Sequence, residues 1–246
     1  MRRFPLVILL CASLCFFEKL SAQNTIADTT SRRVALQQAT DLYFRSVAEG
    51  AFLNYGNEVI EYPNKSGSHP FYLEDRFVYG TVNGFGVTYN DVPVKYDIVH
   101  DKLIVLDFNK IFKVEQVSER IDSFRLLGHG FVRLSADSMN KSGIETGFYE
   151  RLYTGESVAL FAKRKKIASE LIKEGHSDLN FKERNYYFIR RDDTYYEVSD
   201  KSSVMNAMKD KKKELESFLK KNKIKFNKNR EYAMTMLAEH YESLKN

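Results

Sequence analysis

The chain has five histidines, the residue type best suited to both metal binding and proton transfer. Their spacing favours neither role. They are His69, His100, His129, His176 and His240. None lies in a His-x-His, His-x-x-Glu or His-Glu-x-x-His pattern, so a metal site would need ligands from separate segments of the chain. The densest cluster is Asp97, His100 and Asp101, which a hairpin turn rich in Asp explains without a metal ion. The sequence therefore predicts no metal site and no cofactor.

Two serine patterns resemble catalytic motifs but lack the surroundings that the chemistry requires. Ser138 and Lys141 match the Ser-x-x-Lys element of penicillin-binding enzymes, and Lys141 also begins a Lys-Ser-Gly triplet. In those enzymes the serine and the lysine share one turn of a buried helix, whereas residues 135–147 here are predicted to form a polar loop. Residues 155–159 fall one residue short of Gly-x-Ser-x-Gly. Serine catalysis is therefore not expected.

Paired carboxylates are the remaining catalytic candidates. A glycosidase needs only two carboxyl groups, about 5 to 10 Å apart. Four candidates are Asp97, Asp107, Glu145 and Glu150. The chain has 15 Tyr and 18 Phe but no Trp, the residue on which sugar rings often stack, so carbohydrate binding is less favoured. A carboxylate-based hydrolase acting on an envelope polymer is therefore an alternative function, and the sequence leans away from an enzyme.

The most distinctive stretch is residues 147–155, Gly-Phe-Tyr-Glu-Arg-Leu-Tyr-Thr-Gly. In an extended conformation Tyr149, Arg151 and Tyr153 would point to one side of the strand. Two interpretations are open: a polar aromatic face that binds a ligand, or a structural cross-strand cluster of tyrosines around an arginine. The candidate ligand-binding residues are Tyr149, Arg151, Tyr153, Tyr96 and Asp97.

Residues 1–22 have the pattern of a secretory signal peptide. Two arginines precede an apolar run, and Ser21 and Ala22 supply small residues at a cleavage point. The run is too short to cross a bilayer as a stable helix, and we expect no transmembrane span after cleavage. Both cysteines, Cys11 and Cys15, fall in this segment, so the mature chain is expected to be cysteine-free. We predict an exported protein, periplasmic or secreted, after cleavage near Ala22.

Charge is divided unevenly along the mature chain. Residues 23–150 hold 13 basic and 17 acidic side chains, whereas residues 151–246 hold 22 and 15. The basic half contains a run over 163–166 and a lysine-rich stretch over 209–230. Such runs can bind nucleic acid or anionic lipid, but a solvated helix face also explains them, and an exported protein seldom meets nucleic acid. We therefore expect no nucleic-acid partner.

The elements that must position these residues are predicted to be mainly strands. Short apolar runs broken by turn residues dominate residues 40–200, as in an antiparallel meander. Turn residues at 83–84, 90–91 and 100–101 predict reversals of the chain. Residues 167–174 are instead predicted to form one or two helical turns.

From residue 201 the periodicity changes to that of amphipathic helices. Ser203 can cap a first helix and Asn229 a second. The apolar stripe of the first consists of Val204, Met208, Leu215 and Leu219. Residues 23–39 are polar and predict a flexible lead-in. The predicted fold is therefore α+β, a curved antiparallel sheet resembling a half-barrel or a sandwich over 40–200, with a helical hairpin over 201–246 packed on it.

Several stretches carry a resemblance to a known group of proteins. They are residues 80–82 (Gly-Thr-Val), 89–97 (Tyr-Asn-Asp-Val-Pro-Val-Lys-Tyr-Asp) and 147–155, the lysine-rich helix over 203–221 and Tyr241. With these features the chain resembles a family of exported bacterial proteins, of the type found in the Bacteroidota, in which a Gln often follows the signal cleavage point. The similarity would cover most of residues 40–246. Because the role of that family is unknown, it implies no catalytic residue.

Together these features favour a non-enzymatic binding or interaction module of the cell envelope. Its predicted partner is a lipid, a glycan or a protein, held on the concave face of the sheet. The alternatives are the hydrolase described above and a structural subunit of an envelope complex.

Overall fold

The computed structural model describes residues 26–43, 56–59, 67–84, 86–107, 110–136, 143–173 and 176–245. The chain divides into two compact units, Met1–Arg45 and Ser46–Asn246. The predicted signal peptide, with both cysteines, lies outside the described residues. Among the described helices, none combines the length and the apolar character of a membrane span.

The first unit contains helix α1, Ile26–Tyr43, where the sequence predicts a flexible lead-in over 23–39. The segment contains no Gly or Pro and is rich in Ala, Leu, Gln and Arg, which are good helix formers. The side chains of residues 31–39 are all exposed, including Val34 and Leu36. The prediction missed this helix because it relied on apolar periodicity, which α1 lacks.

The second unit is built on one open, curved, antiparallel sheet of 11 strands. The strands are β1 Gly56–Glu58, β2 Val78–Gly84, β3 Val87–Asp97, β4 Lys102–Leu106, β5 Lys113–Gln116, β6 Ser123–Leu126, β7 His129–Leu134, β8 Gly147–Thr154, β9 Ala159–Lys173, β10 His176–Arg191 and β11 Thr194–Val198. Their order across the sheet is β1-β5-β4-β3-β2-β6-β7-β8-β9-β10-β11. With the C-terminal helices, this confirms the predicted α+β fold with a curved antiparallel sheet.

The turn predicted at residues 90–91 is instead a bulge inside the continuous strand β3. Gly80 pairs with Val92 and Val82 pairs with Tyr89, so two residues of β3 lie opposite one residue of β2. Asp91 has a φ of 55°, the left-handed conformation that a tight turn would also use. Asn90 and Asp91 therefore form a bulge, and the strand continues through it.

The helical turns predicted at residues 167–174 are wrong, because strand β9 runs through them. Pairing between β9 and β10 extends from Ala159 with Arg190 to Lys173 with His176. Strand β8 pairs only with the first residues of β9, and β11 pairs only with the last residues of β10. The rest of β9 and β10 is a two-stranded ribbon, on which Ile172 is 73% exposed.

The C-terminal helices are α2 Lys201–Ala207, α3 Lys212–Lys221 and α4 Arg230–Ser243, with a 3₁₀ turn Lys209–Lys211 between α2 and α3. The first predicted helix is thus divided in two at Met208. Its cap is Asp200, whose side chain accepts the Ser203 N–H, while Ser203 completes a reciprocal capping box. The prediction of Asn229 as a cap is confirmed, because its side chain accepts the Tyr232 N–H at 3.0 Å.

The three helices cover one face of strands β8 to β11. The predicted stripe of Val204, Met208, Leu215 and Leu219 is buried, each residue being less than 5% exposed. It packs with Val158, which directly precedes β9, and with the strand residues Leu160, Ala162, Tyr187, Ile189 and Val198. This helix-face core holds the C-terminal helices on the sheet.

Candidate functional site

The three predicted ligand-binding residues of β8 do not share a face. Arg151 pairs with Phe161 and Tyr153 pairs with Leu160, so Leu152 is an extra residue that interrupts the alternation of side chains. Tyr149 is 1% exposed and packs edge-on against the ring of Phe188. Arg151 is exposed, and Tyr153 packs on the helix-face core instead. The bulge therefore separates the residues that a regular strand would have aligned.

Tyr96 lies in an aromatic core on one face of strands β2 to β8. Its ring is fully buried and contacts the rings of Phe124, Phe131 and Phe148, with centroid distances between 5.0 and 6.1 Å. Burial and the neighbouring Asp101 carboxylate raise the pKa of Tyr96 well above its usual value. The face that was expected to hold a ligand is therefore filled by side chains.

Asp97 is a structural residue of the turn between β3 and β4. Its Oδ1 accepts the N–H groups of Val99 at 2.8 Å and His100 at 3.1 Å. Its Oδ2 lies 3.0 Å from His100 Nδ1. Asp101 closes the same turn with a φ of 60°. The Asp97, His100 and Asp101 cluster is thus held together by turn contacts, as the sequence suggested.

Asp101 also anchors a buried lysine. Lys163 Nζ lies 2.6 Å from Asp101 Oδ2 and donates to the Phe148 carbonyl at 3.1 Å. Burial lowers the pKa of Lys163, and the Asp101 charge partly offsets this effect. A Cβ atom on Gly147 would lie 2.1 Å from Asp101 Oδ2, so a side chain at this position would displace the ion pair.

The densest arrangement of charged side chains is a buried junction between the sheet and helix α4, which we call the carboxylate junction. Its centre is Arg164 on β9, which is 6% exposed. Arg164 Nε donates to Glu150 on β8 at 2.6 Å, and its two terminal nitrogens donate to the Glu231 carboxylate at 2.8 and 3.1 Å. Burial alone would raise the pKa of Glu231, but the bonds and charge of Arg164 hold it below its usual value. One arginine therefore joins two strands to a helix.

Three further side chains complete the carboxylate junction. His129 Nδ1 lies 2.5 Å from Glu150 Oε1, and the Tyr72 hydroxyl donates to Glu150 Oε2 at 3.2 Å. The Tyr187 hydroxyl donates to Glu231 at 3.0 Å. Phe131 pairs with Glu150 in the sheet, which places His129, two residues earlier on β7, on the same face.

The His129 and Glu150 pair has the form of a histidine oriented by a carboxylate, and the His129 side chain is 39% exposed. Both oxygens of Glu150 are nevertheless engaged, one by His129 and the other by Arg164 and Tyr72. In the part of the chain that the structure describes, no group of three or more His, Cys, Asp or Glu side chains could hold a metal ion. The junction is arranged to hold the fold together.

A second carboxylate fastens the end of helix α4 to the loop between β8 and β9. Glu242 is 7% exposed, and its two oxygens accept the backbone N–H groups of Glu156, Ser157 and Val158 at 3.0 to 3.1 Å. A Cβ atom on Gly155 would lie 2.2 Å from Glu242 Oε2. We call this contact the loop clasp.

Asp210 ties the turn between α2 and α3 to the end of α4. Burial alone would raise its pKa, but hydrogen bonds from Lys245 and Tyr241 and the charge of Arg191 lower it to about 2. Arg191 also donates to the Ala207 carbonyl at 2.7 Å.

Replacing Asp210 with Asn should therefore destabilise the fold only where the carboxylate is ionised. A pKa below the usual value of 3.8 means that the stabilisation is complete above about pH 4 and is lost as the pH falls through about 2. Because the group is partly exposed, we expect a loss below about 1 kcal/mol at neutral pH. Urea unfolding at neutral pH and near pH 2 measures the difference. An equal loss at both pH values would contradict the assignment.

An exposed apolar tip projects from the connection between β4 and β5. The tip consists of Tyr79, Lys110, Ile111 and Phe112. Ile111 is 69% exposed, Phe112 53% and Tyr79 65%. Lys110 Nζ donates to the Tyr79 hydroxyl at 3.2 Å. Lys110 therefore links the exposed ring of Tyr79 on β2 to the exposed pair Ile111 and Phe112 that follows it in the chain.

The apolar tip is held in place by a buried carboxylate. Asp107 is 6% exposed, and its Oδ1 accepts the N–H groups of Ile111 at 2.6 Å and Phe112 at 2.8 Å. The Asp107 backbone adds two hydrogen bonds of 2.9 Å, to the Phe112 carbonyl and from the Lys110 N–H. Asp107, a catalytic candidate in the sequence, thus serves to present two apolar side chains to solvent.

The chain matches no protein-family model, and neither the curated proteins nor the solved structures contain a match to it. Its function must therefore be argued from its own residues.

Proposed function

We propose that this protein is an exported, non-enzymatic binding module of the cell envelope. The aromatic face that the sequence suggested as the binding surface is packed with side chains, so we place the binding surface at the apolar tip instead. The observation that carries the proposal is the apolar tip. Neighbouring large apolar side chains that are exposed to solvent are typical of interaction sites.

The contacts of the candidate carboxylates support a binding role over the alternative hydrolase. Asp97 accepts two backbone N–H groups of its own turn, and Asp107 accepts two from the tip. Glu150 lies between Arg164 and His129. A general acid or base needs at least one oxygen that reaches substrate, whereas Asp97 and Glu150 have both oxygens in structural bonds and Asp107 is buried in its turn.

Photo-crosslinking in the cells that make the protein tests this function. A photoreactive phenylalanine analogue in place of Phe112 should give an adduct with an envelope component, because this side chain contacts the partner. The matched control carries the analogue at Tyr232, which is 52% exposed on helix α4, away from the sheet strands that carry the tip. Equal labelling at both positions, or no adduct at Phe112, would refute a binding role for the tip.

A further inference from the structure

We propose that the apolar tip inserts into the surface of an anionic lipid bilayer. The inference rests on the proposed function and names the partner of the same surface. Ile111 and Phe112 are adjacent in sequence and exposed together, and the Asp107 carboxylate fixes the backbone beneath them. A projecting pair of apolar side chains can enter the boundary between headgroups and acyl chains.

The charges around the tip match an anionic surface. Lysines bracket the apolar pair in the sequence Lys110-Ile111-Phe112-Lys113. Arg125 pairs with Thr81 in the sheet and is exposed, and Thr81 lies two residues from Tyr79, so Arg125 and Tyr79 share one face of the sheet, which we call the outer face. Basic side chains beside an apolar anchor are attracted to anionic headgroups.

Two carboxylates on this outer face are paired with lysines. Glu115 lies 3.4 Å from Lys102. Asp75 lies 2.8 Å from Lys95, a residue of β3 that points to this face. The exposed bulge residue Asp91 is one further acidic group on β3 near this surface. Lys110 and Arg125 are exposed as well, so basic side chains outnumber Asp91 beside Tyr79.

The size of the tip favours a lipid surface over a protein partner. Three partly exposed side chains of this type offer on the order of 300 Å², since an aromatic side chain buries about 150–250 Å² when it is completely covered. A protein interface of standard size needs about 800 Å² from each partner. Tyr79 adds an aromatic ring with a polar hydroxyl, which suits the headgroup level of a bilayer.

The absence of tryptophan from the chain provides a direct test. In a Phe112→Trp variant, the emission of the single tryptophan should shift to shorter wavelength with vesicles of phosphatidylcholine and phosphatidylglycerol. Vesicles of phosphatidylcholine alone should give a much smaller shift. The matched control is Tyr232→Trp, whose emission should not change with either vesicle. Every variant carries the same N-terminal residues, so a difference between variants reports on the position that was changed.

Two substitutions divide the apolar and the charged contributions. Phe112→Ser should weaken co-sedimentation with the anionic vesicles by about tenfold or more, because a half-exposed aromatic anchor is removed. Lys110→Gln should weaken it about fivefold, with no effect on phosphatidylcholine vesicles. Unchanged melting of both variants shows that they are folded.

The outcomes separate the lipid inference from the proposed function. Equal vesicle binding by the unmodified protein and Phe112→Ser, or no shift of the Phe112→Trp emission, overturns lipid insertion. If that happens while crosslinking at Phe112 yields a protein adduct, the binding role stands with a protein partner. If neither vesicles nor crosslinking give a signal at Phe112, both proposals fail.

Discussion

Replacing Arg164 with Met should cost about 3–5 kcal/mol of unfolding free energy, the largest loss expected from any single substitution described above. Arg164 is the cation shared by Glu150 and Glu231, and Met fills a similar volume without donating a hydrogen bond. Glu150 is 3% exposed, so it would be left in the interior without its arginine and with little access to water. Urea unfolding followed by circular dichroism at neutral pH measures the loss.

A matched control and a rescue distinguish this effect from a general loss of charge. Arg76→Met removes an arginine from a pair with Glu74 that is largely exposed, and should change stability by less than about 1 kcal/mol. Adding Glu150→Gln to Arg164→Met should restore part of the loss, because a neutral amide is less costly to bury than a carboxylate that has lost its arginine. Losses of similar size in Arg164→Met and Arg76→Met would show that the carboxylate junction contributes little.

Replacing Glu242 with Ala should cost at least about 3 kcal/mol. The loop clasp satisfies three backbone N–H groups with one carboxylate, and hydrogen bonds to a charged group contribute about 1.5–3 kcal/mol each. Ala removes the acceptor from all three, and Val158, whose N–H is one of them, is 1% exposed. Thermal unfolding reports the loss, and faster hydrogen exchange of the amides at 156–158 would locate it.

Glu239 on the same helix is the control for the loop clasp. It is exposed, and Glu239→Ala should change stability by less than about 0.5 kcal/mol. Glu242→Gln should lie between the two variants, since the amide keeps one acceptor oxygen but presents an N–H₂ group to backbone donors. If Glu242→Ala is no more destabilising than Glu239→Ala, the clasp is not a stabilising contact.

The fold class could be predicted because it depends on local patterns. Alternating apolar residues and turn residues indicated the meander, and the stripe from Val204 to Leu219 indicated a helix packed on it. The errors came from segments whose signal serves two structures. Asn90 and Asp91 suit either a turn or a bulge. In the Ile167 to Lys173 segment the apolar residues Ile167 and Ile172 are exposed, so their spacing does not mark a buried face of a helix or a strand.

The candidate site was harder to predict because its contacts are distant in sequence. Glu150 and Arg164 are 14 residues apart, and Arg164 and Glu231 are 67 apart, so no local motif joins them. The β8 bulge at Leu152 depends on pairing with β9, which strand alternation within β8 does not reveal. Glu231 did carry one signal, since an acidic residue just after the predicted cap Asn229 suits the start of a helix.

The strand order divides the sheet into two parts, and the contact between them forms differently from the pairs within each part. Strands β2 to β5 pair in sequence, as do β6 to β11, and most of these pairs are hairpins that close locally. The two parts meet where β2 pairs with β6, over three residue pairs, and Asn83 and Ser123 on that seam are 40 residues apart. Closing this longer loop is entropically more costly than forming a hairpin, so the seam is expected to form late in folding. Phe124 contacts Tyr96 across the seam, with their ring centroids 5.0 Å apart, and helps to hold the two parts together once they have met.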